Sequence, residues 1–101
     1  MTPETLSRLA QSGIQLVAET KGYAMFTRGD CVAMAKLSAS GPPGLGSSGL
    51  MTERGLVYPV ERGGQVFLSG KTGEVTASEE QVETLRTFSQ DLKAGLNLPA
   101  L

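Results

Sequence analysis

From Ile14 to Thr76 the chain changes face at every second residue, and glycine-bearing turns interrupt it at short intervals. Period-two apolar runs bounded by glycine read as β-strands joined in hairpins. The runs are 14–19 (IQLVAE), 23–28 (YAMFTR), 31–37 (CVAMAKL), 56–61 (LVYPVE) and 65–69 (QVFLS), with shorter candidates at 50–53 and 74–76. The turns between them fall at Thr20-Lys21-Gly22, Gly29-Asp30, Arg62-Gly63-Gly64 and Gly70 to Gly73. Connections this short permit only antiparallel neighbours, because a parallel pair needs a crossover of a dozen or more residues. The segment Thr27–Met34 also echoes Glu61–Leu68, each placing Arg-Gly at a turn ahead of an alternating strand. Shared turn chemistry accounts for that echo.

The ends of the chain follow helical rules. Thr2 is an N-cap, Pro3 suits the first helical position, and Glu4 suits the positive end of the helix dipole. Leu6, Leu9 and Ala10 share a face, and Gly13 ends the helix. Near the other terminus Ser78 and Gln81 form a capping box, followed by a stripe of Val82, Leu85, Phe88, Leu92 and Leu96. Gly95 is expected to stop this helix near residue 94, and the tail 97–101 to fray. The expected fold class is α+β, an antiparallel sheet of five to six strands flanked by an N-terminal and a C-terminal helix, in a single domain of 101 residues. A chain of that length supports one hydrophobic core.

Residues 38–49, SASGPPGLGSSG, carry almost nothing to bury and are expected to form a flexible loop. Within them Gly41-Pro42-Pro43-Gly44-Leu45-Gly46-Ser47-Ser48 resembles the phosphate loop of AAA-type ATPases, GPPGxGKT. The resemblance covers eight residues and fails at the lysine that reaches the phosphates, which is Ser47 here. A phosphate loop must also open a helix, and the chain is far shorter than an ATPase domain. Nucleotide hydrolysis is not expected.

The remaining chemistry is sparse. The chain has no histidine, the commonest general base, and one cysteine. Only two aspartates occur, Asp30 and Asp91, and both suit structural positions. No metal-ligating spacing, cofactor motif or complete catalytic motif is present, so neither an enzyme nor a bound cofactor is expected. Nine basic residues against ten acidic ones give a net charge of −1, which disfavours nucleic acid as a partner. No run of about 18–20 apolar residues spans a bilayer, and the N-terminus lacks a signal-peptide pattern, so the expected location is cytoplasmic. The single thiol, Cys31, suits a reducing compartment as a small buried side chain.

Two surfaces offer binding. Both faces of the expected sheet are apolar: Leu56, Tyr58 and Val60 oppose Val57 and Pro59, and Phe67 opposes Val66 and Leu68. A sheet with one solvated face should alternate apolar and polar, and an uncovered apolar face marks an interaction site. Tyr58, Pro59 and Phe67 are the candidate contacts. Pro59 cannot donate to a ladder, so its strand is expected at an edge or a bulge. The leading expectation is a non-enzymatic protein-interaction or adaptor module that pairs with itself as a homodimer. Small dimeric adaptor and chaperone-like domains have similar layouts, an analogy that speaks to fold rather than role. The alternative is a small-anion or nucleotide-binding regulatory domain. In an up-and-down meander that counts 50–53 as a strand, Arg28, Arg54 and Lys71 share one end, and Lys21 and Arg62 the other. Three cations at one end suit an anion or an acidic patch on a partner.

Overall fold

The computed structural model describes residues 2–20, 22–36 and 44–96. The chain runs α1 (Pro3–Gln11), β1 (Gln15–Thr20), β2 (Tyr23–Arg28), β3 (Cys31–Lys36), β4 (Gly44–Thr52), β5 (Gly55–Arg62), β6 (Gln65–Gly70), β7 (Gly73–Thr76) and α2 (Glu79–Gly95). The α+β class with a helix at each end stands. The sheet has seven strands in sequence order, all neighbours antiparallel, rather than five to six. Of the two short candidates, 50–53 proves to be the end of β4, which stops at Thr52, and 74–76 lies in β7, which takes a full ladder from β6.

Residues 44–49, expected in the loop 38–49, form the first two thirds of β4. Apart from Leu45, which packs against the core, their composition offers little to bury, but β3 supplies an edge to bond against, pairing Val32↔Gly49 and Ala33↔Ser48. A bulge then puts Gly46 and Ser47 opposite Met34 before Ala35↔Leu45 resumes the register. The ATPase-like motif therefore continues into extended strand where a phosphate loop needs a helix. The rest of that loop, Lys21 and the tail 97–101 lie outside the described residues.

The helices start as their caps dictate. Thr5 N–H donates to Thr2 Oγ1 at 3.3 Å, and both bonds of the Ser78–Gln81 capping box form, at 2.9 and 3.1 Å. Gly13 takes the left-handed φ of +76° that closes α1, and Ile14 N–H returns to Leu9 O at 2.9 Å, turning Ile14 into the core. Gly95 departs from expectation. It is the last helical residue of α2, with Leu96 as C-cap, and it marks close approach: a Cβ there would stand 2.3 Å from Leu9 Cδ2. α1 therefore packs directly on the end of α2.

That contact decides the architecture. Leu9 and Ile14 join Leu85, Phe88, Leu92 and Leu96 in one core with the sheet residues Ala24, Phe26, Cys31, Ala33, Ala35, Leu50, Val57 and Leu68. Both helices thus lie on one face. Three alanines and one phenylalanine floor the sheet under α2, in the cross-strand pairs Ala24↔Ala35 and Phe26↔Ala33. Ser48, the buried polar side chain of β4, shares a 2.7 Å hydroxyl–hydroxyl hydrogen bond with Ser89 of α2. No helix among the described residues is long and apolar enough to cross a membrane.

Candidate functional site: the open face of the sheet

Alternation fixes what lies on the other side. If Ala24, Phe26, Ala33 and Ala35 face the helices, then Tyr23, Met25, Val32 and Met34 face away. Leu50↔Val57 is buried, so Met51↔Leu56 points out. On the last strands Pro59↔Leu68 points in and Val60↔Phe67 points out, with Tyr58 beside them. The far side of β2 to β6 is therefore an apolar field that no described element covers. Tyr23, at the start of β2, is 46 % exposed, and Met34 and Tyr58, inside β3 and β5, are 42 % and 40 % exposed, high values for large side chains on a sheet. Its charged residues stand at the rim: Lys36 ends β3, and Arg62 pairs with Glu74 while its guanidinium stacks on the Phe67 ring at 5.2 Å.

The field has relief. β4 contributes glycine where its neighbours contribute large side chains, and Gly46 floors a depression of about 390 Å³ walled by Met25, Met34, Leu56 and Tyr58. The Tyr58 ring leans across β4. A Cβ at Gly49 would meet its Cδ1 and Cε1 at 3.1 Å.

The structure divides the three expected contacts. Tyr58 and Phe67 lie on the open face. Pro59 does not: it faces α2 and lines a separate groove with Val66, Val82, Leu85 and Ser89. Nor is its strand an edge, since β5 lies between β4 and β6. The missing N–H acts differently. The two-residue turn at Gly63-Gly64 makes Arg62, Val60 and Tyr58 bond toward β6, so Pro59 faces β4. The β4–β5 ladder stops at Leu50↔Val57, where the next bonded pair would need a proline N–H. Beyond that point no ladder pair joins the two strands, and β5 continues with β6 and, through it, β7.

The expected cationic end is also rearranged. The turns that carry Arg28, Arg54 and Lys71 do fall at one end of the meander. Arg28, however, donates to Asp91 Oδ2 at 2.7 Å and to Ser12 O at 3.0 Å, and its guanidinium lies 5.6 Å from the Phe88 ring centre. Its charge ties the β2 end to α1 and α2. Arg54 and Lys71 are exposed in their turns, and no contact joins the three among the described residues. Sequence reasoning missed Asp91 as the partner because the two lie 63 residues apart.

Cys31 is buried at the start of β3. Desolvation pushes its thiol above the ordinary range. Arg28 opposes that shift and Asp30 reinforces it. A raised folded value means that the thiol's contribution to stability is complete below the unfolded pKa and declines as pH rises toward the folded one. Chemical denaturation at pH 7 and at pH 9.5 is expected to show a loss on the alkaline side, above about pH 8.5, that is smaller in Cys31→Ala. A thiol reagent should label Cys31 only as fast as the chain unfolds.

No protein-family profile, curated protein or solved structure matches the chain, so the open face itself is the ground for a functional reading.

Proposed function

We propose that this protein is a non-enzymatic interaction module that works in the cytoplasm and pairs with a second copy of itself through the open face of its sheet. The observation that carries the reading is the placement of both helices on one side, which leaves Tyr23, Met25, Met34, Leu56, Tyr58, Val60 and Phe67 together on the other. β2 to β6 span four strand spacings of about 4.8 Å and roughly six residues of about 3.3 Å each, a footprint on the order of 400 Å² before side-chain relief. Relief brings this toward the roughly 600–800 Å² per partner of modest specific interfaces. The centre of the field is uncharged, which suits an equally uncharged surface, and a net charge of −1 gives two copies little long-range repulsion. The single buried thiol is in keeping with a reducing compartment.

Light scattering coupled to gel filtration tests this. The expected mass is about twice the 10.6 kDa of one chain. Tyr58→Glu should weaken the dimer by about 2–4 kcal/mol, on the order of 30- to 1,000-fold in dissociation constant, because it buries an unpaired charge at the centre of the contact. Its far-UV circular dichroism should be unchanged. A wild-type mass of one chain at the highest soluble concentration would sink the reading.

A further inference from the structure

Resting on that reading, we infer that the open face is a methionine-oxidation site, at which a peroxide converts Met34 and Met51 to sulfoxides in the free chain and the oxidised chain no longer pairs. Among the described residues the sulfur atoms are sorted by face. Cys31 lies in the core, whereas Met25, Met34 and Met51 all point to the opposite side. The core holds no methionine, although an unbranched thioether suits irregular core gaps. Met51 is 49 % exposed, more than Met34, and Met25 is the half-buried cross-strand partner of Met34. Met51 stands opposite Leu56, which walls the depression over Gly46 together with Met25 and Met34. Exposure governs which sulfur is oxidised, so a peroxide reaches Met34 and Met51 while the buried Cys31 is spared.

The step needs only hydrogen peroxide or another two-electron peroxide oxidant. A sulfur lone pair attacks one peroxide oxygen, the S–O bond forms, the O–O bond breaks, and with hydrogen peroxide the other oxygen leaves as water. The sulfur is oxidised by two electrons and the peroxide is reduced. The flexible apolar side chain becomes a polar one. Pairing would then carry a strong hydrogen-bond acceptor into a contact built from apolar side chains. Each acceptor left without a donor there should raise the dissociation constant on the order of 5- to 150-fold. Because the dimer covers both sulfurs, oxidation runs through the dissociated chain and then holds it apart. Methionine sulfoxide reductases reverse the change, the oxygen leaving as water while their thiols form a disulfide.

The test treats the full chain with hydrogen peroxide, quenches it, and reads both modification and mass. Peptide mass spectrometry should find one added oxygen on Met34 and one on Met51, and none on Cys31. Light scattering should show the mass falling from two chains to one, with circular dichroism unchanged. The double variant M34L/M51L keeps an apolar face of nearly the same volume, and should stay dimeric through the same treatment. M34Q/M51Q, which puts polar side chains of similar length at both positions, should be monomeric with no peroxide added. Raising the protein concentration through the dissociation constant should slow oxidation of Met34 and Met51 relative to N-acetylmethionine in the same tube. If Met34 and Met51 are fully oxidised and the mass stays at two chains, the inference is overturned while self-association stands. Loss of the dimer in peroxide by M34L/M51L as well would also overturn it, because other sites would then be responsible. A wild type with the mass of one chain before any peroxide is added removes the self-association reading, and this inference with it.

Discussion

Replacing Phe88 with alanine is expected to remove about 3–5 kcal/mol of stability, the range for deleting a fully buried aromatic ring. Phe88 has no exposed surface and sits in the stripe of α2 that covers the sheet. Its ring also carries the Arg28 guanidinium, which is held by Asp91 one turn further along the helix. Alanine would leave a cavity beneath α2 and strip a face from an arginine that links β2 to both helices. A domain of this length has a total stability of about 5–15 kcal/mol, so the loss is a large fraction of the whole. Urea unfolding at a fixed protein concentration measures it, the concentration being held because association adds to apparent stability. Phe88→Leu should lose far less, since most of the volume is retained. A change below about 1 kcal/mol in the alanine variant would mean that α2 is not the cover of the core.

Several parts of this architecture were legible because local chemistry determines them. The two-residue turns at Gly29-Asp30 and Gly63-Gly64 need left-handed backbone at their first residue, and glycine supplies it there, with φ of +59° at both Gly29 and Gly63. Ser78 and Gln81 set the start of α2 through bonds that span three residues. The doubled apolar pattern of the strands was visible too, and with it the prospect of an uncovered face holding Tyr58 and Phe67.

Other parts depend on contacts that spacing does not encode. The start of β4, Gly44 to Gly49, is glycine and serine but for one leucine, a loop composition, and becomes a strand because β3 offers an edge, Leu45 packs on the core and Ser89 meets Ser48. Gly95 has the look of a helix stop, yet its role is to admit Leu9. That one close contact sets both helices on the same face, and no periodicity in either helix reports it. Arg28 sits in the same turn chemistry as Arg62, but one is drawn to Asp91 of α2 and the other to Glu74 of β7. Pro59 is expected at an edge or a bulge, yet it lies on an inner strand in unbroken register with β6, and only the β4–β5 ladder stops short of it.

The break makes the short β4–β5 junction the point at which this sheet is most easily divided, and Gly49→Val should divide it. Only Leu50↔Val57, Met51↔Leu56 and Thr52↔Gly55 join the two strands. A Cβ at Gly49 would stand 2.7 Å from Val57 O and 3.1 Å from the Tyr58 ring. The ring can swing aside, but the carbonyl oxygen belongs to the backbone of the last junction pair and moves only if that pair opens. Valine favours strands by as much as about 1 kcal/mol over poor formers. Overpacking costs about 1–3 kcal/mol and occasionally more, so the clash outweighs the preference and the net effect is a loss of about 2 kcal/mol. Gly44→Val is the control, since a Cβ there meets nothing within 4 Å on the same strand. Hydrogen exchange should show amide protection falling through β5, β6 and β7 in G49V while β2 and β3 change less, because the weakened link lies between those groups. The same variant displaces Tyr58 from the open face, so its dimer should weaken in parallel. A G49V protein as stable as wild type, with uniform protection, would mean that the sheet is continuous across Pro59 after all.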